Sequence, residues 1–363
     1  MDVVEYGAIA LFNERALAVD HRFRLSDENT PIVAEVCRRL DGIPLAIELA
    51  AARLNQLSLK ALAQKLDDRF RILAGGDRTA LLRQQTMRAT IDWSYDLLSP
   101  QEQRVFERLS VFAGGCTLAA ATAVCWGEET AEPDVFDLLS SLVDKSLLVA
   151  DFEGTEPRYR LLESSRAYAR EKLVARGELE MVAQRHARAY LEITEQLEVA
   201  YDSEADAAWN ERTQRELDNW RAVLEWALAA GRDVALGQRL IGKLVGGMRA
   251  ALTPSEKRHL IALAMNLVDE STPATVLASI SYADAVVSNI FDESKKELAS
   301  SEKALALYRE LGNDLGIAKS RTQAARALVR LGRNTEAEPM LLDALTYFRQ
   351  LGDRRRIGYV LRV

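Results

Sequence analysis

The last part of the sequence repeats itself. The segment 304–313 (ALALYRELGN) aligns with 344–353 (ALTYFRQLGD), and Ile317 falls on Ile357 in the same alignment. We call this the C-terminal repeat. A repeat of this length is typical of stacked helix pairs, which bury their apolar faces only against neighbouring pairs. The sequence therefore predicts an α-helical superhelix, which we place over residues 191–363.

An array of this kind needs about three repeats and a polar terminal cap to be stable. The last residues, 360–363 (VLRV), have the pattern of a helix interior and not of such a cap. We therefore expect a fragment or a split gene product, with a self-standing adaptor as the alternative.

Capping signals predict further helices upstream. Thr30 precedes a proline, which predicts an N-cap followed by proline at the first helical position, and Gly42 is placed to end that helix. Ser99 and Glu102 have the spacing of a capping box, in which each side chain accepts a backbone amide of the other residue. Helices are predicted to begin near Thr30, Pro44, Ser99, Thr117 and Pro133.

The hydrophobic period changes between residues 146 and 162. The segments 146–152 (SLLVADF) and 158–162 (RYRLL) are alternating or continuously apolar, and they flank the turn-like 153–157 (EGTEP). This pattern predicts one β-hairpin. Three helices followed by a two-stranded wing is the plan of a winged-helix module.

Composition limits the compartment and the chemistry. The length of 363 residues predicts two or three domains, and no window approaches the ~20 apolar residues of a membrane-spanning helix. We therefore expect a cytoplasmic protein with no membrane partner. Because the three cysteines form no CxxC pair and the three histidines lie far apart, we predict no metal site and no disulfide, and we expect the thiols to be buried.

The net charge of −7 argues against indiscriminate binding of nucleic acid. The segment 319–362 is locally basic, with ten Lys or Arg against four acidic residues. A solvated helical face is the favoured interpretation of this segment, and a basic binding face is the alternative.

Four motifs carry a resemblance to a known family: 41–50 (DGIPLAIELA), 66–70 (LDDRF), 88–98 (RATIDWSYDLL) and 106–115 (FERLSVFAGG). Over about residues 1–190 the sequence resembles the bacterial signal-transduction NTPases (STAND, or NB-ARC-like) related to plant disease-resistance and apoptotic-scaffold proteins. The array that follows resembles their tetratricopeptide-type sensor domains. The resemblance implies a mainly α fold, with a helical lid subdomain at 1–76, a winged helix at 77–190 and tetratricopeptide-like repeats at 191–363.

The family also carries a P-loop NTPase core, and the resemblance here begins at the lid. The sequence contains no G-x-x-x-x-G-K-[ST] loop, so nothing in it can cradle the β- and γ-phosphates of a nucleotide. We expect no ATPase activity from this chain alone, and no cofactor, with ADP or ATP bound only where a P-loop core is supplied in trans.

Three positions correspond, through the resemblance, to the family's nucleotide site. The proline that packs on adenine in the family is Pro44 here, although a helix-starting proline needs no ligand. The family's Met-His-Asp motif aligns with Leu161, Leu162 and Glu163, so its phosphate-contacting histidine is Leu162. Because leucine cannot donate a hydrogen bond to phosphate, we expect Pro44, Leu162 and Glu163 to be vestigial nucleotide-site positions.

A winged helix also suggests DNA binding. Acidic residues interleave with the basic ones that could support it, which is typical of a solvated mixed surface, so DNA binding is the less favoured interpretation. No catalytic motif is visible, and three tryptophans at near-helical spacing indicate core more than a ligand groove. The basic candidates are Arg83, Arg88, Arg104 and Arg108, and the tryptophans are Trp209, Trp220 and Trp226.

We therefore expect a non-catalytic signal-relay or transcription-regulatory scaffold. Its helical repeats would bind a protein or a small inducer, and its lid and winged helix would couple that binding to an NTPase core absent from this chain. The alternatives are a winged-helix DNA-binding regulator and a residual ATP- or ADP-binding ATPase fragment.

Overall fold

The computed structural model describes residues 3–26, 28–40, 42–55, 57–73, 82–126, 135–152, 156–200, 206–246 and 252–363. The chain divides into two compact units, Met1–Val182 (unit 1) and Ala183–Val363 (unit 2). The sequence suggests domain boundaries at residues 76 and 190, which differ from this division into two units. Those two boundaries stay predictions. Within the described part of the chain, no helix has both the length and the apolar character needed to cross a bilayer.

Unit 1 begins with a bundle of helices. Phe12, Val36, Ile47 and Leu62 come from four different helices and are fully buried in one hydrophobic cluster, and Trp93 joins them from the next helix. The apolar run that follows Pro44 is therefore buried. The helices are α1 (Val3–Val19), α2 (Thr30–Arg39), α3 (Pro44–Ala51), α4 (Leu59–Leu73) and α5 (Leu82–Asp96).

Unit 1 continues with a small sheet flanked by helices. The sheet has three antiparallel strands in the order β1-β3-β2, with Tyr159 of β3 opposite both Cys116 and Ala150. The predicted hairpin is β2 and β3. The elements are α6 (Pro100–Arg108), β1 (Cys116–Thr117), α7 (Leu118–Cys125), α8 (Val135–Asp144), β2 (Val149–Asp151), β3 (Arg158–Arg160) and α9 (Glu163–Ala175).

The first strand of this sheet is a feature that the sequence did not predict. Gly115, just before β1, has a φ of +73°, and a Cβ there would lie 2.8 Å from the carbonyl oxygen of Tyr159. Glycine at this position therefore lets the chain approach β3 closely enough to pair with it. Such a short strand has no hydrophobic period, which is why only a hairpin was expected.

The two predicted N-caps have different outcomes. The capping box at Ser99 is confirmed, since the serine hydroxyl accepts the Glu102 amide at 3.3 Å and the Ser99 amide donates to Glu102 at 2.7 Å. The predicted cap at Thr30 is wrong. Thr30 is the first helical residue, and its hydroxyl donates to the carbonyl oxygen of Ser26 instead.

The described residues of unit 2 form helices joined by turns and contain no strand, which confirms the predicted mainly α fold class. Helix α10 contains the boundary between the units, and α11 ends in a π-helical turn, Glu225–Ala229. The helices are α10 (Leu179–Ala200), α11 (Asp206–Leu224), α12 (Val234–Gly246), α13 (Pro254–Asn266), α14 (Ala274–Ile290), α15 (Ser294–Glu310), α16 (Asp314–Arg330), α17 (Asn334–Leu351) and α18 (Arg354–Val360).

The helices α14 to α18 follow one another at a constant step, and two steps make one C-terminal repeat. They begin at Ala274, Ser294, Asp314, Asn334 and Arg354. The turns between them share a backbone conformation, because the residues 292, 312, 332 and 352 recur at the same step and all have a positive φ. This left-handed residue ends each helix at the same point, so that equivalent side chains of successive pairs face the same way.

Close packing between α15 and α16 gives a stability prediction. A Cβ on Gly316 would lie 2.5 Å from the ring of Tyr308. Alanine normally favours a helix over glycine by about 1 kcal/mol. We nevertheless expect Gly316→Ala to lower the free energy of unfolding by about 1–3 kcal/mol, because the ring must move. Urea unfolding measures the change.

The matched control is Gly358→Ala in α18, where only the end of the Arg362 side chain comes within 4.0 Å of the new methyl group. This substitution should be neutral or stabilising. Equal losses of stability in the two variants would contradict the packing explanation.

Candidate functional site

The first candidate surface is α8, the last helix before the wing. In helix-turn-helix proteins the second helix of the motif enters the major groove, and α8 follows α7 in that position. Its exposed side chains are Phe136, Asp137 and Asp144, and no residue of Val135–Asp144 is Lys or Arg. The wing adds another exposed aromatic ring, since Phe152 is 72% exposed. This surface is acidic and partly apolar.

The nearest cation to α8 in sequence, Lys145, is buried inside the domain. Its ammonium group donates to the carboxylate of Glu102, which also accepts the hydroxyl of Ser141 at 2.5 Å and the amide of Ser99 at 2.7 Å. Burial raises the pKa of Glu102, but these hydrogen bonds outweigh it and hold the pKa below its ordinary value. Lys145 therefore fastens α8 to the start of α6 and is not presented to a phosphate.

Two of the four arginines proposed for DNA binding have internal partners. Arg88 makes a bidentate ion pair with Glu171 at 2.6 and 3.1 Å. Arg108 is 2% exposed and donates to Glu178 at 2.9 Å and to the carbonyl oxygen of Cys125 at 2.5 Å. The side chain of Arg83 lies outside the described residues.

The second candidate site is a cavity of about 620 Å³ between the start of α3, α5 and α9. Pro44 lines it, together with Ser164 and Tyr168 from the first turns of α9. The structure therefore places Pro44 in the same cavity lining as Ser164, two residues after Leu162. Arg88 is the one cation among the described lining residues, and Glu171 neutralises it.

A polar network joins α9 to α5 next to this cavity. Tyr168 donates to Asp92 at 2.5 Å, and the ammonium group of Lys172 lies 3.4 Å from Asp92 and 5.0 Å from the ring of Tyr168. Burial and the hydrogen bond to Asp92 raise the pKa of Tyr168 well above its ordinary value. Its hydroxyl is therefore a hydrogen-bond donor at neutral pH.

A second network joins α5, α6 and α9. Arg176 makes a bidentate contact with Glu107 at 2.5 and 2.7 Å, and Tyr95 donates to the same carboxylate. Burial, with the hydrogen bond to Glu107, raises the pKa of Tyr95 to about 12. Together the two networks fix α9 against both α5 and α6.

The other two expected site positions lie at the start of α9. Leu162 is the residue before the helix, has an extended backbone and makes no side-chain cap. Glu163 lines a separate cavity of about 250 Å³ with Leu161 and Arg160. The structure thus brings Pro44 close to the first turn of α9 but assigns Glu163 to a different cavity.

The sequence interpretation missed a grouping of basic residues in unit 2. The sequence favours a solvated helical face for segment 319–362. In the structure, six of its ten Lys and Arg residues line one cavity of about 610 Å³. The C-terminal repeat could have revealed it, because positions 282, 322 and 362 are equivalent and all three line this cavity. The six residues are Lys319, Arg326, Arg354, Arg355, Arg356 and Arg362.

The cysteines and two of the three tryptophans lie where the sequence predicts, whereas Trp226 is only half-buried. The cysteines Cys37, Cys116 and Cys125 are all buried. Trp209 and Trp220 are 2% and 0% exposed and belong to the core, although Trp209 also forms part of the wall of the 610 Å³ cavity.

Comparison with known proteins identifies one domain and several relatives. Residues 98–174 match the family model of a winged helix-turn-helix domain. Proteins of Mycobacterium bovis and Mycobacterium tuberculosis named as HTH-type transcriptional regulators are 36% identical over 372 aligned residues, which cover 98% of this chain and 40% of theirs. The regulatory protein AfsR of Streptomyces griseus is 29% identical over 349 residues, covering 86% of this chain and 34% of its own.

A solved structure aligns more weakly. It is a signal-transduction ATPase with numerous domains and a tetratricopeptide repeat sensor from Pyrococcus horikoshii, with 13% identity and a TM-score of 0.41 over 98% of this chain and 55% of that chain. This similarity is too low to carry a structural conclusion. The chain therefore contains a winged helix-turn-helix domain and is similar to regulators, while spanning about 40% of the length of its mycobacterial relatives.

The buried pair in the winged helix gives the second prediction. We expect Lys145→Met to lower the free energy of unfolding by about 3 kcal/mol at neutral pH, because it leaves the Glu102 carboxylate buried without its cation. The loss should shrink below about pH 4.5, the ordinary pKa of Glu102, since protonation removes the unpaired charge. Urea unfolding at pH 7 and pH 4 measures both effects.

Arg160→Met is the matched control, because Arg160 is an exposed cation of the same domain. Its effect should stay within about 0.5 kcal/mol at both pH values. A small, pH-independent effect of Lys145→Met would show that Lys145 is not the structural cation of this domain.

Proposed function

We propose that this chain is a non-catalytic relay segment of a transcription regulator. In this proposal the helical repeats of unit 2 bind a protein or a small inducer. The lid and winged helix of unit 1 then couple that binding to an NTPase core that this sequence does not contain. The regulatory part of the proposal is supported by the relatives, which are named as transcriptional regulators or regulatory proteins.

The observation that carries the proposal is the surface of α8. A helix that reads the major groove must approach two rows of phosphates, and most of its affinity comes from Lys and Arg. Helix α8 instead exposes Asp137 and Asp144, which phosphates repel, and Phe136, which is 49% exposed. A surface that exposes aromatic rings and carries few charged side chains is typical of a protein–protein interface.

Three cations of the same domain support this assignment. Lys145 is engaged with Glu102, Arg108 with Glu178, and Arg158 with the carbonyl oxygens of Gly114 and Gly115 at 3.3 Å. Releasing any of these groups to a phosphate would leave a buried or half-buried partner unsatisfied. The winged helix is therefore better suited to hold other protein segments than to hold duplex DNA.

The cavity at Pro44 supports the coupling part of the proposal. Its lining combines Pro44 and Ile43 with Ile91 and the first turns of α9, so a group bound there would contact the lid bundle and the winged helix together. We propose that Pro44, Leu162 and Glu163 are the vestigial positions of a nucleotide site completed by the NTPase core, with Pro44 lining this cavity and Glu163 lining the 250 Å³ cavity. Arg88 is paired with Glu171, so this cavity offers little to a phosphate by itself.

Duplex DNA is the competing partner, because the relatives are named for a helix-turn-helix. We expect the full chain to bind a 20-base-pair duplex weakly at 150 mM salt, because α8 carries only negative charge. The charge reversal Asp137→Lys/Asp144→Lys should increase that affinity at least tenfold and steepen its salt dependence. Fluorescence anisotropy across a salt series measures both quantities.

The control for charge is Glu302→Lys/Glu310→Lys, which makes the same net change at two exposed positions of α15. It should change the DNA affinity less than twofold. Submicromolar binding by the unsubstituted chain that Arg160→Ala weakens would assign duplex DNA to the winged helix and contradict the relay proposal.

The non-catalytic part of the proposal predicts that the purified chain does not turn over ATP. Without a P-loop lysine and hydroxyl, neither the γ-phosphate nor a magnesium ion is held for hydrolysis. Phosphate release should equal that of a matched sample containing EDTA. Magnesium-dependent turnover above that background would contradict this part, whereas ATP binding alone would not.

A further inference from the structure

The 610 Å³ cavity of unit 2 is lined by seven helices. Side chains of α11, α12, α13, α14, α16, α17 and α18 all contribute to its wall. Cavities that bind small ligands measure roughly 300–1,000 Å³, so this one has the size of a ligand site.

The charge of this cavity has one sign. Lys257 joins the six basic residues of segment 319–362 in its wall, and none of the described lining residues is Asp or Glu. We call it the cationic cavity. Two other cavities of unit 2 differ, since one combines Arg258 with Glu293 and the other combines Lys243 with Glu198.

The repeat explains why the basic residues converge. Lys319 and Tyr359 occupy equivalent positions of α16 and α18, and Val286 and Arg326 occupy equivalent positions of α14 and α16. All four line the cavity. The cationic cavity is therefore the inner face of successive helix pairs, where side chains from equivalent positions must meet.

Arg326, one of the lining residues, is held in place by a carboxylate that does not itself line the cavity. Arg326 donates to the fully buried carboxylate of Glu297 at 3.2 Å, and Glu297 also accepts the amide of Gln323 at 2.9 Å. The guanidinium carbon of Arg326 lies 5.3 Å from the ring centre of Tyr359, and a guanidinium N–H of Arg326 donates a hydrogen bond to the Tyr359 hydroxyl. This positions a planar cation beside an aromatic ring.

A second pairing of cation and ring lies on the same wall. The ammonium group of Lys319 is 5.0 Å from the ring centre of Tyr282. The cavity thus presents two tyrosine rings together with planar guanidinium groups and ammonium groups. A guanidinium group can donate two parallel hydrogen bonds to two oxygens of one phosphate, and aromatic rings stack on planar ligand rings. The chain has a net charge of −7, but a cleft of one charge sign attracts its own counter-ion locally.

We propose that the cationic cavity binds an organic phosphate of nucleotide size, with its phosphates on the arginines and its ring against Tyr359 or Tyr282. This inference deepens the proposed function, on which it rests for the statement that unit 2 receives the signal. It is separate from the cavity at Pro44, which lies in unit 1 and has a different lining.

The test is isothermal titration calorimetry of the full chain with ATP, tripolyphosphate and adenosine, in magnesium-free buffer of low salt. We expect ATP to bind with a micromolar dissociation constant and tripolyphosphate to bind more weakly. Adenosine should give no measurable heat, because the phosphates carry the charge that the cavity attracts. Lys319→Ala/Arg354→Ala should weaken ATP binding at least tenfold, since it removes two cations from the wall.

Two further variants separate charge from packing and from total charge. Lys319→Gln/Arg354→Gln keeps most of the side-chain length and should weaken ATP binding as much as the alanine pair. Arg309→Ala/Arg349→Ala removes the same charge from exposed, repeat-equivalent positions outside the cavity and should change ATP binding less than twofold.

Three results would overturn the inference. The first is the absence of heat with both ATP and tripolyphosphate. The second is equal weakening by the cavity variant and the exposed variant, or loss of ATP binding in Arg88→Ala, which would place the ligand elsewhere. The third is tighter binding of hexaglutamate than of ATP, which would assign the cavity to an acidic peptide.

The failure of this inference differs from the failure of the relay proposal. If no phosphate binds, the repeats can still receive a protein, and the surface of α8 is unaffected. If the winged helix binds duplex DNA tightly, the relay proposal fails, while the titrations of the cationic cavity keep their meaning.

Discussion

The structure of unit 2 depends on one constraint, which is that a helix pair buries its apolar face only against the next pair. In α14 to α18 this constraint is met by a constant step between helix starts and by a left-handed residue in each turn. A constant step fixes which side chains face inward, so the same few positions of each repeat recur on the inner wall. The cationic cavity follows from this regularity, because Lys319, Arg326 and Arg362 occupy three different repeat positions, and residues at the equivalent positions also line the cavity.

Unit 1 shows how an interior charge decides what a surface can bind. Glu102 closes the capping box of α6 and at the same time accepts hydrogen bonds from Lys145 and Ser141 at the end of α8. The cation that a groove-reading helix would offer to phosphate is therefore engaged in holding α8 in place. The exposed side chains of α8 are Asp137, Asp144 and Phe136, and on this chemistry rests our proposal that the helix contacts protein and not duplex DNA.

Local signals explain which parts of the fold the sequence could predict. The capping box, the hairpin and the C-terminal repeat each show in a short segment or in a direct alignment, and the structure has all three. The strand β1 could not be found in this way, because Cys116 and Thr117 pair with Tyr159 and Arg158, far along the chain. The cap at Thr30 was wrong because the upstream turn, in which the Ser26 amide donates to the Asn29 side chain, draws the Thr30 hydroxyl back to Ser26.

The candidate sites show the same limit more sharply. The resemblance suggested Pro44 and the start of α9 as site positions, which stays a prediction. No local sequence signal shows that Arg88 is neutralised by Glu171 or that Arg108 is buried against Glu178. A basic residue therefore has no fixed meaning in sequence. In the winged helix, carboxylates from far along the chain form ion pairs with the cations, which then serve to hold the fold together. On the inner face of the repeats, Glu297 and Asp353 form ion pairs with Arg326 and Arg356, but neither carboxylate lines the cavity. A cation can contact a ligand in the cavity when its carboxylate partner lies outside the cavity wall, and it is blocked when that carboxylate lies between the cation and the ligand.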